Sequence, residues 1–224
     1  MDTRAMTSWD TEYRTGRYDG DPPVEFVEDI VSAAASLPKS ARGLYVGCGN
    51  GRNYLPLRAA GLRLTGLDIS RVALEGLAQR APECANDLFH GSVFDLPEGD
   101  PYDLVVGIQV FQHGDRATSH AHIEAALERV AHGGLLCVRV NAVGTDLYPE
   151  HEVTERHPDG GLTVRYLSGS KNGLDIHFFS HTELESLVPT SSFRRVVEPR
   201  IHQTHRKPPA PGQWSQWEVI YERL

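Results

Sequence analysis

The chain has 224 residues, 40% of them hydrophobic and 23% charged, with 22 Lys and Arg against 30 Asp and Glu for a formal net charge of −8. That balance excludes a disordered polymer, and the negative charge argues against a general nucleic-acid binder, which needs a basic face to neutralise phosphates. Strand-length apolar runs, no apolar leader over Met1 to Asp10 and three unpatterned cysteines (Cys48, Cys84, Cys137) point away from a membrane span, a secretory signal, a disulfide framework or a zinc site, and towards a reducing cytoplasm.

In chain order, residues 1–23 form a polar arm that carries Trp9, Tyr13 and Tyr18, aromatics that imply packing against a partner surface. Val24 to Leu37 has helical spacing, and Pro38 stops it. Leu44-Tyr45-Val46 is a short strand running into Gly47-Cys48-Gly49-Asn50-Gly51, followed by a helix from Asn53 to Ala60. Leu62 to Leu67 is a second strand ending at Asp68, and Ser70 is placed to cap a helix from Val72 to Gln79. Strands are expected at 85–90, 102–109 and 135–140, with a helix from Ala117 to Ala131 and a turn at Gly133-Gly134. Between Asn141 and Gly173 the pattern breaks, with one strand at 162–167. A strand at 174–179, a helix at 181–188 and a terminal antiparallel pair at 193–197 and 217–221 complete the reading. Alternating strands and helices imply an α/β, doubly wound, mostly parallel sheet with ligands at the carboxyl ends of its strands.

Gly47, Gly49 and Gly51 sit where the first strand turns into a helix, so the backbone can approach a ligand and free amides can bind it. Asp68 ends the second strand, where a carboxylate accepts hydrogen bonds from ribose hydroxyls. The spacing is G-x-G-x-G, with Arg52 where a dinucleotide fingerprint has its third glycine, and there is no phosphate-cradling G-x-x-x-x-G-K. Leu44 to Gly51 followed by Gly66-Leu67-Asp68-Ile69-Ser70 resembles the class I S-adenosylmethionine-dependent methyltransferases. Gly91 to Pro97 is similar to the family's adenine loop, Tyr102 to Val110 to its fourth-strand motif beside the sulfonium, and Gly133 to Leu136 to the turn before its fifth strand.

The resemblance implies a Rossmann-like, seven-stranded methyltransferase fold with an antiparallel last strand, and S-adenosylmethionine as cofactor. It assigns Gly47, Gly49, Gly51, Asp68, Ile69, Ser92, Val93, Phe94 and Gln109 to the donor. The arm is similar to those of thiopurine, halide and tellurite-resistance methyltransferases, which gives Tyr13 and Tyr18 a covering role. Two residues depart from the family. Tyr45 stands where an acid usually holds the methionine amino group, and Ser92 where an acid often contacts adenine, a role Asp95 could take. One domain over 1–224 is expected: arm and helix 1–40, donor core 41–140, a lid-like insertion 141–180, and a terminal helix and strand pair 181–224.

His113 follows the fourth strand and either acts as a base or packs structurally on a backbone carbonyl. Asn141, Asp146, Tyr148 and His177 are acceptor candidates, Asn141 to Tyr148 because they emerge after the fifth strand. No metal is expected: His177 and His181 need not share a face, and His120 and His122 are read as solvent-exposed. Arg194, Arg195, Arg200, His202, His205, Arg206 and Lys207 form the one basic concentration, read as a solvated edge. The reading is methyl transfer to a small-molecule O, N or S acceptor by a monomer or homodimer. A tRNA-modifying enzyme and a non-catalytic binding protein of the same fold are the alternatives.

Overall fold

The computed structural model describes residues 3–16, 18–148, 150–206, 208 and 210–224. Its principal sheet has seven strands: β1 (Arg42–Val46), β2 (Arg63–Asp68), β3 (Leu88–His90), β4 (Tyr102–Ile108), β5 (Val130–Asn141), β9 (Phe193–His205) and β10 (Gln213–Arg223), in the order β3-β2-β1-β4-β5-β10-β9. β1 pairs in parallel with β2 and β4, β2 with β3, and β4 with β5, whereas β10 runs antiparallel to both β5 and β9. The sheet is therefore mostly parallel, with its reversed strand inserted next to the edge.

Strand alternation explains why both faces of this sheet are covered. Leu44, Val46, Val105, Leu136 and Val138 point to one side, where they meet Ile123, Ala126 and Leu127 of α5 (Arg116–Glu128) and Leu184 of α6 (His181–Leu187). Tyr45, Leu104, Val106, Leu135 and Cys137 point to the other, against Phe26 and Ile30 of α2 (Phe26–Ala34), Tyr54 and Leu57 of α3 (Tyr54–Ala59), and Leu74 and Leu77 of α4 (Arg71–Arg80). Continuous apolar strands of this kind can only sit between two helical layers. Ser70 caps α4 by accepting from the Ala73 amide at 3.1 Å.

Three elements differ from the sequence reading. The arm contains a helix, α1 (Thr3–Arg14). The 141–180 insertion holds three strands, β6 (His151–Arg156), β7 (Leu162–Tyr166) and β8 (Asp175–Phe178), which form an antiparallel sheet of their own. β5 begins at Val130, and Gly133-Gly134 lies within it. A Cβ on Gly134 would meet the carbonyl oxygens of Ala131, Asp103 and Tyr102 at 2.8 to 3.1 Å, which is why glycine is needed where the β4–β5 register shifts. The second sheet is tied to the first by bridges from His113 to Ile176 and from Ala142 to Phe179. No helix is long and apolar enough to cross a membrane among the described residues.

Candidate functional site

The carboxyl ends of β1, β2 and β4 open into a cavity of about 510 Å³. Gly47, Asp68, Ile69, Ser92, Val93, Phe94, Gln109 and His113 line it on the principal-sheet side, and Arg165, Asp175 and Ile176 on the side of the second sheet. Asp68 is 7% exposed. Its two carboxylate oxygens accept the Gly49 amide at 2.7 Å and the Ser70 amide at 2.8 Å, so the glycine loop and the start of α4 fix its orientation. Burial pushes its pKa up to about 6, against those two amides, which pull it down.

The glycines do different jobs. Gly47, Gly49 and Gly51 all have positive φ, but a Cβ on Gly51 would strike Leu77 and Leu55, so that residue serves helix packing. A Cβ on Gly49 would collide with the Tyr13 hydroxyl of α1, so here the loop approaches the arm. At the end of β4, Gln109 holds φ at 56°, the one non-glycine residue in the left-handed region among those described. That conformation costs about 1–3 kcal/mol and persists because the surroundings impose it, here including a bond from its amide to the Arg139 carbonyl at 2.7 Å.

α1 forms the roof. Its Trp9 and Tyr13 line the cavity, and Trp9, Tyr13 and Tyr18 cluster with ring centres 5.8 to 6.5 Å apart. Tyr18 is in the cluster but does not line the cavity. α1 docks at two places. Asp10 accepts from the Ser70 hydroxyl at 2.6 Å at the head of α4, while Ser8 donates to the Ser170 carbonyl at 2.6 Å in the turn between β7 and β8. Lys171 lies 4.7 Å from the Trp9 ring centre.

His113 meets Trp9 edge-on at 4.9 Å, and its Nε2 lies 3.1 Å from the Gln109 carbonyl, to which it donates. Enclosure by the cavity walls lowers its pKa to about 3, aided by the nearby Lys171 charge. Ser92 donates through its amide and its hydroxyl to one oxygen of Asp95, at 2.8 and 2.6 Å, and these bonds hold the Asp95 carboxyl below its usual range. Asp95 thus presents a carboxylate to the cavity beside Phe94, whose ring lies tilted against His122 with centres 5.1 Å apart. Tyr45 is 1% exposed, packed edge-on to Tyr54 in the core, and absent from the lining.

The acceptor candidates lie elsewhere. Asn141 pairs with Gln216, and its carbonyl accepts the Phe179 amide. Asp146 bonds the Gln213 amide at 2.9 Å, and Tyr148 is exposed at the surface. None of the three lines the cavity, because β5 runs on to Asn141 and the chain then pairs with β10. His177 is fully buried. Its neighbour Ile176 faces the cavity, so strand alternation turns His177 away. His120 is only half-buried and bonds Glu183 instead of facing solvent. The residues that the sequence reading missed are Trp9, His122, Arg165 and Asp175. Trp9 was visible as an aromatic in the arm; His122 sits on α5, where it was read as solvent-exposed but lines the cavity; Arg165 and Asp175 depend on how the insertion folds back.

Residues 44–136 match the model of a methyltransferase domain family. That match runs from β1 into β5, under half of the chain. Beyond that stretch, solved structures match nearly the whole chain. The CcbJ methyltransferase from Streptomyces caelestis is 19% identical with a TM-score of 0.65, over 98% of each chain. The 1,6-didemethyltoxoflavin-N1-methyltransferase from Burkholderia thailandensis, with bound 1,6-didemethyltoxoflavin and S-adenosylhomocysteine, is 16% identical with a TM-score of 0.62, covering 96% of this chain and 88% of its own. The sugar N-methyltransferase KedS8 from Streptoalloteichus sp ATCC 53650 is 18% identical with a TM-score of 0.59, covering 95% and 92%. At these identities the likeness is one of fold. No curated protein sequence matches the chain significantly.

Proposed function

We propose that the protein transfers the methyl group of S-adenosylmethionine to a small-molecule acceptor. The observation that carries this reading is a single cavity with the glycine loop and a buried, oriented carboxylate at one end, a second sheet at the other, and an aromatic helix above. Its volume is in the range of small-molecule sites. Asp68 would accept the ribose hydroxyls, with Gly47, Gly49 and Ile69 beside it and Gly51 supporting the turn. Val93, Phe94 and the Ser92–Asp95 pair would frame the adenine. Tyr13 and Tyr18 would cover the donor, and Gln109 would stand near the sulfonium. The donor supplies an electrophilic methyl carbon, and the chain supplies positioning and exclusion of water.

A histidine whose pKa burial lowers to about 3 is a weak base at neutral pH. His113 is therefore assigned an orienting role, and the acceptor is proposed to be an amine nitrogen that arrives with its own lone pair. Two of the similar structures are N-methyltransferases, which supports this choice. The basic concentration supports a small molecule over tRNA: Arg194 pairs with Glu222, Arg195 with Glu185 and Glu198, and Arg200 with Asp29 and Glu218, which leaves no uncompensated stripe there; Lys207 lies outside the described residues.

Calorimetric titration at pH 8 should show saturable S-adenosylhomocysteine binding and none of NAD. Asp68→Ala should weaken it by about ten- to a hundredfold, the worth of hydrogen bonds to a charged group. Unchanged affinity in a folded Asp68→Ala protein would overturn the assignment. Donor binding without turnover on any amine would leave a binding protein of this fold, the reading favoured by Tyr45 in place of an acid.

A further inference from the structure

Behind the cavity wall, three elements converge on one carboxylate oxygen. His120 of α5 places Nε2 at 2.6 Å from Glu183 Oε1, and His177 of β8 places its Nε2 at 2.8 Å from the same atom. Glu183 of α6 and His177 are fully buried, and the His120 side chain is 22% exposed. The three donor atoms lie within 4.8 Å of one another.

The hydrogens around His177 make this convergence informative. The Thr163 hydroxyl has one proton and donates it to Glu155 Oε2 at 2.6 Å. At 2.9 Å from His177 Nδ1 it can only accept, so Nδ1 carries the ring proton. In the neutral ring Nε2 then presents a lone pair to Glu183, which has no proton to give. His120 Nε2 lies 2.6 Å from the same carboxylate oxygen and 3.4 Å from Arg116 Nε. The His177 lone pair thus faces the Glu183 carboxylate with no hydrogen between them and His120 Nε2 alongside, an arrangement that a cation bound among the three would relieve.

The surrounding charges leave room for one. Arg116 Nε lies 2.9 Å from Glu183 Oε1 and the guanidinium also pairs with Asp159, while Glu155 accepts the Arg116 backbone amide and faces His157 at 3.5 Å. Two carboxylates, Glu183 and Asp159, therefore share one guanidinium, with a third, Glu155, beside them.

We infer that His120, His177 and Glu183 form a structural site for a divalent transition metal of the zinc type. Two imidazole nitrogens and one carboxylate oxygen suit zinc or cobalt, and magnesium and calcium prefer all-oxygen sets. Ligands about 2.0–2.2 Å from a tetrahedral ion stand roughly 3.3 Å apart, so the cluster must open by about half an ångström. The His177–Thr163–Glu155 chain is the kind of outer contact that fixes a metal-bound imidazole. Arg116 would stay on Asp159, and water would complete the shell. The ion would tie α5, β8 and α6 together; none of its ligands lines the cavity, so the inference is independent of the donor reading.

The test uses chelator-treated full-length protein titrated with Co²⁺ and with Zn²⁺. We expect the visible absorption of tetrahedral cobalt, one zinc bound per chain, and a melting temperature that rises with zinc. His120→Gln, at the most exposed ligand, and Glu183→Gln should each weaken binding at least tenfold, whereas His181→Ala, outside the cluster, should not. Saturable binding that is lost in His120→Gln supports the site even if Glu183→Gln fails to fold. Absence of binding in the wild type, or equal binding by a folded His120→Gln protein, overturns it and leaves a proton as the cation.

Discussion

At His113, enclosure outweighs hydrogen bonding. The ring is denied its charge down to about pH 3, although its Nε2 donates to a backbone carbonyl that would favour the charged form. The unfolded imidazole titrates near 6.5, so between about pH 3 and 6.5 the unfolded chain binds a proton that the folded one refuses. This group therefore makes stability rise with pH across that window. His113→Asn should flatten the acid limb of a melting-temperature profile. The turnover rate between pH 5 and 8 should carry no inflection due to His113; an inflection near 6.5 that vanishes in the variant would restore its role as a base. Asp68 moves the opposite way in pKa. Its carboxyl is raised to about 6, so the stability associated with its protonated form is lost as pH rises through 6. Ionising it in the empty fold costs about 3 kcal/mol, from a shift of roughly two units at 1.36 kcal/mol each. Ribose hydroxyls would return part of that cost, so donor affinity should fall as pH drops from 8 to 5.

At the scale of elements, the roof is the part most exposed to test. α1 reaches the core through Asp10 and the second sheet through Ser8, and Tyr13 fills the space over Gly49. Trp9→Ala removes the ring that Tyr13, Tyr18, His113 and Lys171 all pack against. It should weaken S-adenosylhomocysteine binding about tenfold and leave the melting temperature within a few degrees, because α1 lies outside both main core clusters. Unaltered affinity would show that the helix is not part of the donor site. The glycine-loop end of this cavity was far more legible in the sequence than the second-sheet end, for a physical reason. The glycine turn, Asp68 and the apolar strands are local, carried by spacing within one βαβ unit. The opposite wall is made by β7 and β8, whose place depends on long-range bridges from His113 to Ile176 and from Ala142 to Phe179. Asn141, Asp146 and Tyr148 were reasonable from their position after β5, but pairing with β10 carries the chain away. The His120–His177–Glu183 convergence joins residues from three elements, up to 63 positions apart, and no local spacing encodes it. α1 escaped notice because few of its positions are apolar enough to mark a helical face.

At the scale of the whole molecule, the reversed strand is locked in place by a buried ion pair. Arg139 on β5 is 2% exposed and Glu218 on β10 fully buried, and register sets them opposite each other. Arg139 Nε donates to Glu218 at 2.8 Å, and Arg200 of β9 reaches the other carboxylate oxygen at 3.1 Å before continuing to Asp29 of α2. One acid thus connects β5, β10, β9 and α2. Burial lowers the Arg139 pKa, and the Glu218 contact opposes that shift. Removing the acid would leave a guanidinium with no counter-charge in the core. Glu218→Ala should therefore cost about 3–5 kcal/mol, measured by urea unfolding. The pair itself is worth much less than that, because both charges were desolvated to make it. Replacing both, with Arg139→Met and Glu218→Leu, should recover most of the loss. Neither side chain lines the cavity, so donor affinity per folded molecule should be unchanged in both variants. If Glu218→Ala were within 1 kcal/mol of wild type, water would have to reach Arg139. If the double variant were as unstable as the single, the pair would be specifying the position of β10 between β5 and β9 and not merely cancelling charge.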